Sequence, residues 1–166
     1  MQPWKFIVVT DPEVREELLP KSWNQRIVTT ASHLVVFAAR ESLGEDDARR
    51  HVDNFVKIRN LPSEEAGQLL ERQVGILNRP GLDAFRYASY QVYIALGNLL
   101  TSAALLGLDS TAIGGFEPDA YDEILGLKET GYKSVVAAAV GYHAADDSNA
   151  TLAKVRFPIE QVIHHI

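Results

Sequence analysis

Lys154 and Arg156 alternate within the segment that runs from Asn149 to Pro158. If that segment is extended, its two-residue period puts both cations on one side. Paired charge-assisted donors are what a phosphate dianion requires, and two isolated basic residues are equally at home as solvated surface. Upstream, Ile113-Gly114-Gly115-Phe116 sits between a short apolar run and a helix start. Its glycines permit close approach of a ligand to the backbone and leave amide N–H groups free to donate, although the same pair also makes an ordinary turn.

Other chemistries lack their signatures. There is no G-x-G-x-x-G, no G-x-x-x-x-G-K-[ST], no G-x-S-x-G and no H-E-x-x-H, which removes most support for nucleotide-fold and hydrolase readings. His33, His51, His143, His164 and His165 are scattered, and the terminal pair has no partner at ligand spacing, so no metal site is expected. Asp122 and Glu123 read as a solvated helix face, and Asp146-Asp147 as a turn cap. A formal net charge of −6 and a pI near 5.3 disfavour nucleic acid, which needs clustered Lys and Arg. With no cysteine there is neither a disulfide framework nor a thiolate zinc site, and residues 1–20 lack the apolar core of a signal peptide. The longest apolar run, Val135 to Val140, falls far short of the roughly 20 residues that cross a bilayer. A soluble protein of a bacterial-type cytoplasm, without nucleic-acid or membrane partners, is the expectation.

The elements that must position these residues follow from periodicity and punctuation. A chain of 166 residues suits one domain, here residues 1–166. Phe6 to Thr10 is a β-branched run stopped by Asp11-Pro12, a helix N-cap followed by proline at the first helical position. His33 to Ala39 and Ser134 to Tyr142 are too uniformly apolar to leave one face wet and read as central strands. Glu45 to Arg59 begins with acids and ends with bases, as the helix dipole favours, and carries Ala48, Val52, Phe55 and Val56 as its buried stripe. A second charged helix starts at Pro62-Ser63-Glu64-Glu65 and ends at Asn78-Arg79-Pro80-Gly81. From Ala84 to Leu106 nearly every position is apolar or small, which predicts a long helix buried nearly all round. Its Ala95, Gly97, Ser102, Ala103 and Ala104 suit close approach of another helix, in a dimer or within the chain. Gly107 stops it, Leu108 to Ile113 is a short strand, and Pro118 to Leu125 a short helix ended by Gly126. The mixture predicts an α+β fold rather than a doubly wound sheet.

Several stretches carry a more specific message: Gln2-Pro3-Trp4-Lys5-Phe6, Trp23-Asn24-Gln25-Arg26, Tyr90-Gln91-Val92-Tyr93, Gly97-Asn98, Gly126-Leu127-Lys128-Glu129-Thr130-Gly131-Tyr132, and Asn149-Ala150-Thr151-Leu152-Ala153-Lys154-Val155-Arg156-Phe157-Pro158. Together they resemble the flavin-dependent nitroreductase and dihydropteridine reductase family over essentially the whole chain. The resemblance implies a nitroreductase-like fold: a mixed, mostly antiparallel central sheet flanked by helices, in a homodimer with a long buried central helix. It further implies FMN as cofactor, with Lys154 and Arg156 on the phosphate and the amides of Gly114 and Gly115, after Ile113, toward flavin N5 and O4. Asn24 would face the pyrimidine side. Gln2, Pro3 and Trp4 would wall the site at the dimer interface, Trp23 would stand near the acceptor channel, and Phe157 to Ile166 would cross onto the partner. Two departures stand out: Gly114 replaces an acidic residue of some members, and Ile27 replaces a lysine near N1 and O2, where negative charge builds on reduction.

The implied activity is ping-pong hydride transfer, from NADH or NADPH to FMN and on to a nitroaromatic, quinone or related acceptor, with no side chain acting as general acid or base. In the family a substantial segment precedes Gln-Pro-Trp and supplies an Arg-x-Ser phosphate contact, a further lysine and polar residues that reach the flavin across the dimer. This sequence begins at that tripeptide, so an N-terminally short domain is expected. Loss of one or two charge-assisted bonds, at about 1.5 to 3 kcal/mol each, would lower FMN affinity by roughly one to four orders of magnitude. Two other readings stay open: a truncated, non-catalytic or weakly flavin-binding protein of this fold, and a flavin-destroying or dehalogenating branch of the superfamily.

Overall fold

The computed structural model describes residues 1–166. Its order is β1 (Trp4–Val9), α1 (Pro12–Leu18), a 3-10 turn (Pro20–Ser22), α2 (Ile27–Thr30), β2 (His33–Arg40), α3 (Glu45–Arg59), α4 (Ser63–Leu77), α5 (Ala84–Leu105), β3 (Asp109–Ile113), α6 (Pro118–Ile124), β4 (Tyr132–Gly141) and α7 (Ile159–Val162). The strands form one sheet in the order β1-β2-β4-β3. Every neighbouring pair is antiparallel, so the mixed pairing anticipated from the resemblance is absent from these four strands. The most apolar runs do take the centre, β2 and β4, where Leu34, Val36 to Ala39 and Val136 to Ala139 are buried.

Alternation along these strands feeds two cores. Leu34, Val36, Ala137 and Ala139 face one side and pack with Leu18, Val28, Ile113, Phe116 and Tyr121. Phe37, Ala39, Val136 and Ala138 face the other and meet Ala88, Val92 and Leu96 of α5. The β-α6-β segment and the α1-α2 segment thus lie on one layer and α5 on the opposite one. No helix is long and apolar enough to cross a membrane.

Local signals behave as their chemistry dictates. Asp11 Oδ1 accepts from Glu13 N at 2.9 Å, with Pro12 at the first helical position. Gly107 and Gly126 take φ of 71° and 65°, the left-handed stops that only glycine enters freely. Three expectations are corrected. On α5 only Ala88, Val92, Leu96 and Ala103 are buried, because one side of the helix meets the sheet; Tyr90, Tyr93, Ile94 and Leu105 form an exposed opposite stripe. On α3, similarly, Ala48 and Val52 are buried while Val56 is exposed. Asp122 is no solvated residue: it is 5% exposed, and its Oδ1 accepts from Ser134 N at 2.8 Å, tying α6 to β4. Its neighbour Glu123 is exposed and pairs with Lys128 at 2.9 Å.

Arg15 is buried without a carboxylate. Its Nε donates to Val28 O at 2.7 Å, and its terminal nitrogens donate to Ser32 O at 3.3 Å and to Ala31 O. It therefore satisfies the carbonyl oxygens at the end of α2, which a four-residue helix cannot satisfy itself. Arg15→Met keeps the apolar stem and leaves these acceptors unpaired. It should lower unfolding free energy by about 2 to 4 kcal/mol, read as a reduced urea midpoint at unchanged m-value.

Candidate functional site

The turn after α1 is held in a costly conformation. Trp23 and Asn24 have φ of 53° and 57°, two consecutive non-glycine residues in the left-handed region, at roughly 1 to 2 kcal/mol each. Hydrogen bonds compensate: Asn24 N donates to Leu19 O at 3.1 Å and Gln25 N to Ser22 O at 3.0 Å. Ser22 Oγ donates to Leu18 O at 2.7 Å and therefore accepts from the Tyr121 hydroxyl, also at 2.7 Å. Burial raises the Tyr121 pKa, opposed by the Ser22 hydrogen bond, so the phenol keeps its proton and remains the donor.

That anchorage presses the turn against the loop between β3 and α6. Glu117 N donates to Lys21 O at 2.8 Å, and the side chains of the same two residues lie 3.7 Å apart. Gln25 Nε2 donates to Gly115 O at 2.7 Å. A Cβ on Gly115 would sit 2.6 Å from the Trp23 ring, so a larger residue there would displace the indole. The amide N–H groups of Gly114 and Gly115 make no hydrogen bond within the chain. Trp23, Gln25 and the glycine pair are thus one assembly, with an exposed indole beside free backbone donors.

A cavity of about 650 Å³ opens beside α2, lined among others by Arg26, Ile27, Thr30, Thr111, Tyr142 and Lys154. Its rim carries an aspartate–histidine contact: Asp109 Oδ2 accepts from His143 N at 2.9 Å and meets His143 Nδ1 at 2.8 Å. The side-chain hydrogen bond from His143, with its backbone amide next, holds the Asp109 carboxyl below its ordinary pKa. Lys154 lies in this cavity, whereas Arg156 is exposed and its guanidinium donates to its own neighbour, Val155 O, at 2.7 Å. Residues 153–158 form no strand, so the same-side placement of the two cations is not fixed by a sheet. The whole stretch 142–166 is exposed.

The N-terminal residues lie elsewhere. Gln2 and Pro3 line a polar cavity of about 390 Å³ against Asp47, Arg50, His51 and Lys57 of α3. Trp4 lines an apolar hollow of about 460 Å³ with Phe6, Val8, Phe37, Ile94 and Leu99. Ile113 is 1% exposed, its side chain turned into the core, so only its backbone is offered to a ligand. The chain alone therefore brings Trp23 and Gln25 against Gly115, with Asn24 between them in sequence, places Lys154 in a cavity that Ile27 also lines, and leaves Gln2, Pro3, Trp4 and Arg156 apart. Gln25, Arg26, Thr30, Asp109 and His143 were not singled out from sequence. A glutamine or threonine carries no motif of its own, and the Asp109–His143 pair is 34 positions apart.

A family model for the nitroreductase family matches residues 1–142. The chain is similar to the oxygen-insensitive NAD(P)H nitroreductase of Salmonella typhimurium, at 33% identity over 174 residues, covering 99% of this chain and 80% of that protein. It is similar also to the major NAD(P)H-flavin oxidoreductase of Aliivibrio fischeri, at 32% identity over 170 residues, covering 98% of this chain and 78% of that protein. Among solved structures, a nitroreductase-type protein of Exiguobacterium sibiricum in complex with FMN matches with a TM-score of 0.83 at 25% identity, over 99% of this chain and 77% of that one.

The Asp109–His143 contact has a pH signature. A pKa lowered by folding contributes stability that is complete above the unfolded value, about 3.9, and is lost as pH falls through the folded value. The His143 backbone amide resonance should therefore shift with a midpoint below the ordinary aspartate value in the intact protein and show no such transition in Asp109→Asn. A midpoint at or above that value would contradict the geometry.

Proposed function

This chain belongs to the nitroreductase family, and we propose that it is an FMN-dependent oxidoreductase that takes hydride from NADH or NADPH and reduces nitroaromatics, quinones or related acceptors. The observation that carries this reading is the glycine loop: two backbone N–H groups without internal partners, beside an exposed indole.

The residues present fit the cofactor by the chemistry of their donors. A phosphate needs charge-assisted donors, and Lys154, with Thr30 and Thr111, lines a cavity of about 650 Å³, within the usual range of roughly 300 to 1,000 Å³ for ligand sites. A heteroaromatic edge that gains negative charge on reduction needs preorganised donors, and Gly114 and Gly115 offer theirs. We assign Lys154 and Arg156 to the phosphate, Asn24 to the pyrimidine side, the backbone at Ile113, Gly114 and Gly115 to the reactive edge, and Trp23 to stacking of a planar acceptor. When bound, the flavin supplies two-electron transfer in two half-reactions, from reduced nicotinamide and then to the acceptor. The chain itself binds, orients and stabilises charge, and the acceptor's protons come from solvent.

The reading places the complete site in a homodimer. Tyr90, Tyr93, Ile94 and Leu105 on α5 and Phe6 and Val8 on β1 are exposed apolar side chains, of which Ile94, Phe6 and Val8 line one hollow, a surface suited to a partner. Pairing of two such faces would bring the Gln2-Pro3-Trp4 edge and the tail from Phe157 toward the partner's cavity. Sedimentation should give a dimer, and Ile94→Glu should shift it toward monomer.

The decisive experiment is colour. Protein purified or reconstituted with FMN should be yellow and should bleach on addition of NADH or NADPH under anaerobic conditions. Lys154→Ala should weaken FMN binding by roughly tenfold to a hundredfold, the worth of one charge-assisted contact, measured by flavin fluorescence quenching. Protein that stays colourless through an FMN titration would instead favour a fold that has kept its core and lost turnover.

A further inference from the structure

Gly115 is gripped from two sides by one turn. The Trp23 ring occupies the space a Cβ would need, and Gln25 Nε2 lies 3.3 Å from the same point. The Gln25 amide has two N–H donors, and both are used: one to Gly115 O at 2.7 Å, the other to Ser22 O at 3.0 Å. Both partners are carbonyl oxygens, so chemistry fixes which end of the amide faces them; an oxygen in that place would be repelled. The side chain is half-buried, which strengthens both bonds relative to exposed ones.

These bonds matter because of what they restrain. A glycine pair has more conformational freedom than any other dipeptide and resists being held in one orientation. Between Ile113, fixed by its pairing with Ala137, and Glu117, whose N–H bonds to Lys21 O, the Gln25 contact is the polar restraint on the intervening backbone. The held carbonyl belongs to the Gly115–Phe116 peptide, so the clamp fixes the C-terminal end of the loop and narrows the freedom of the two preceding peptides, whose N–H groups, those of Gly114 and Gly115, have no hydrogen bond within the chain.

We propose that Gln25 is a positioning residue: by clamping the Gly115 carbonyl to the Ser22 turn it orders the Gly114 and Gly115 amides before any ligand binds, and so sets how strongly they stabilise charge at the flavin edge. This rests on the proposed function for the identity of the ligand, but the ordering itself is a property of the free chain. Electrostatic stabilisation depends on donors that need no reorganisation during the reaction. A loop that must first be ordered spends interaction energy on that step. Gln25 acts through Gly115 and need not touch the flavin.

The test uses Gln25→Met, which keeps volume without donors, and Gln25→Glu, whose carboxylate faces two carbonyl oxygens and repels both. In the FMN-free protein, 15N relaxation should give order parameters for the Gly114 and Gly115 amides near the rigid value of about 0.85, falling below about 0.6 in Gln25→Met. In the FMN-loaded protein, the variants should show a lower flavin midpoint potential and hydride uptake from NADH or NADPH slowed by roughly tenfold. The nicotinamide dissociation constant should be unchanged. Gln25→Glu should be affected at least as strongly; if it does not fold, Gln25→Met carries the test alone. A side chain that only filled space would leave Gln25→Met with wild-type order parameters and potential, and that result overturns the proposal. If the unsubstituted protein binds no FMN, the functional reading falls, while the relaxation comparison still decides whether Gln25 orders the loop.

Discussion

A buried hydroxyl pair joins Ser22 to Tyr121 across 99 positions of chain, and the geometry of the candidate site depends on it. Tyr121 lies in the core with no exposed surface, so its hydroxyl must find a partner or destabilise the fold. The partner it finds is the 3-10 turn that precedes two left-handed residues. Through that bond the hydrophobic core dictates where an exposed indole and a strained backbone stand. Phe116, packed on the Tyr121 ring at 4.3 Å between centroids, fixes the other side of the joint by ending the glycine loop. Strain in the turn and freedom in the loop are therefore resolved together, by packing beneath them rather than by contacts at the surface.

The same logic separates what one protomer completes from what it leaves open. The face of the sheet covered by α1, α2 and α6 has a closed core. The other face is covered by α5 alone, which buries four residues and leaves an apolar stripe outside. The apolar hollow at Trp4 adjoins this stripe through Ile94, and the tail exposes Leu152, Val155, Phe157 and Ile166. Burial of one such side chain is worth about 1.5 to 3 kcal/mol, so a second copy that covers several of them has a large driving force. On the proposed function, this unfinished face is where the scattered N-terminal and C-terminal site residues gain their meaning.

Legibility followed the range of the interactions. The central strands were read from the unbroken apolar character of His33–Ala39 and Ser134–Tyr142, and the helix ends from Asp11-Pro12, Gly107 and Gly126, because periodicity and caps are local. Asp122 was misread as solvated because its acceptor role depends on Ser134 N, 12 positions on. The outer stripe of α5 is exposed in the single chain; composition does not say whether a helix's partners lie within the chain or outside it. At the candidate site, the glycine pair and Lys154 are proposed from residue type, whereas Gln25 has no such signal: its contact is with Gly115 O, 90 positions away.

The two departures from the family pattern bear on the electrostatics of the loop. Ile27 lines the cavity where a cation is expected, and Gly114 stands where some members carry an acid. One removes positive charge and the other negative, so the change in net charge is small, but what remains differs in kind. Side-chain charges on flexible stems are screened by solvent and can rearrange; backbone dipoles held by a core cannot. On the proposed function, with neither charge present, the potential at the reactive edge would fall to the N–H groups of Gly114 and Gly115 and to whatever fixes their direction. A site of this composition depends more heavily on loop geometry than one with a lysine at position 27, and the clamp from the Ser22 turn becomes the means by which the fold controls the redox chemistry proposed for it.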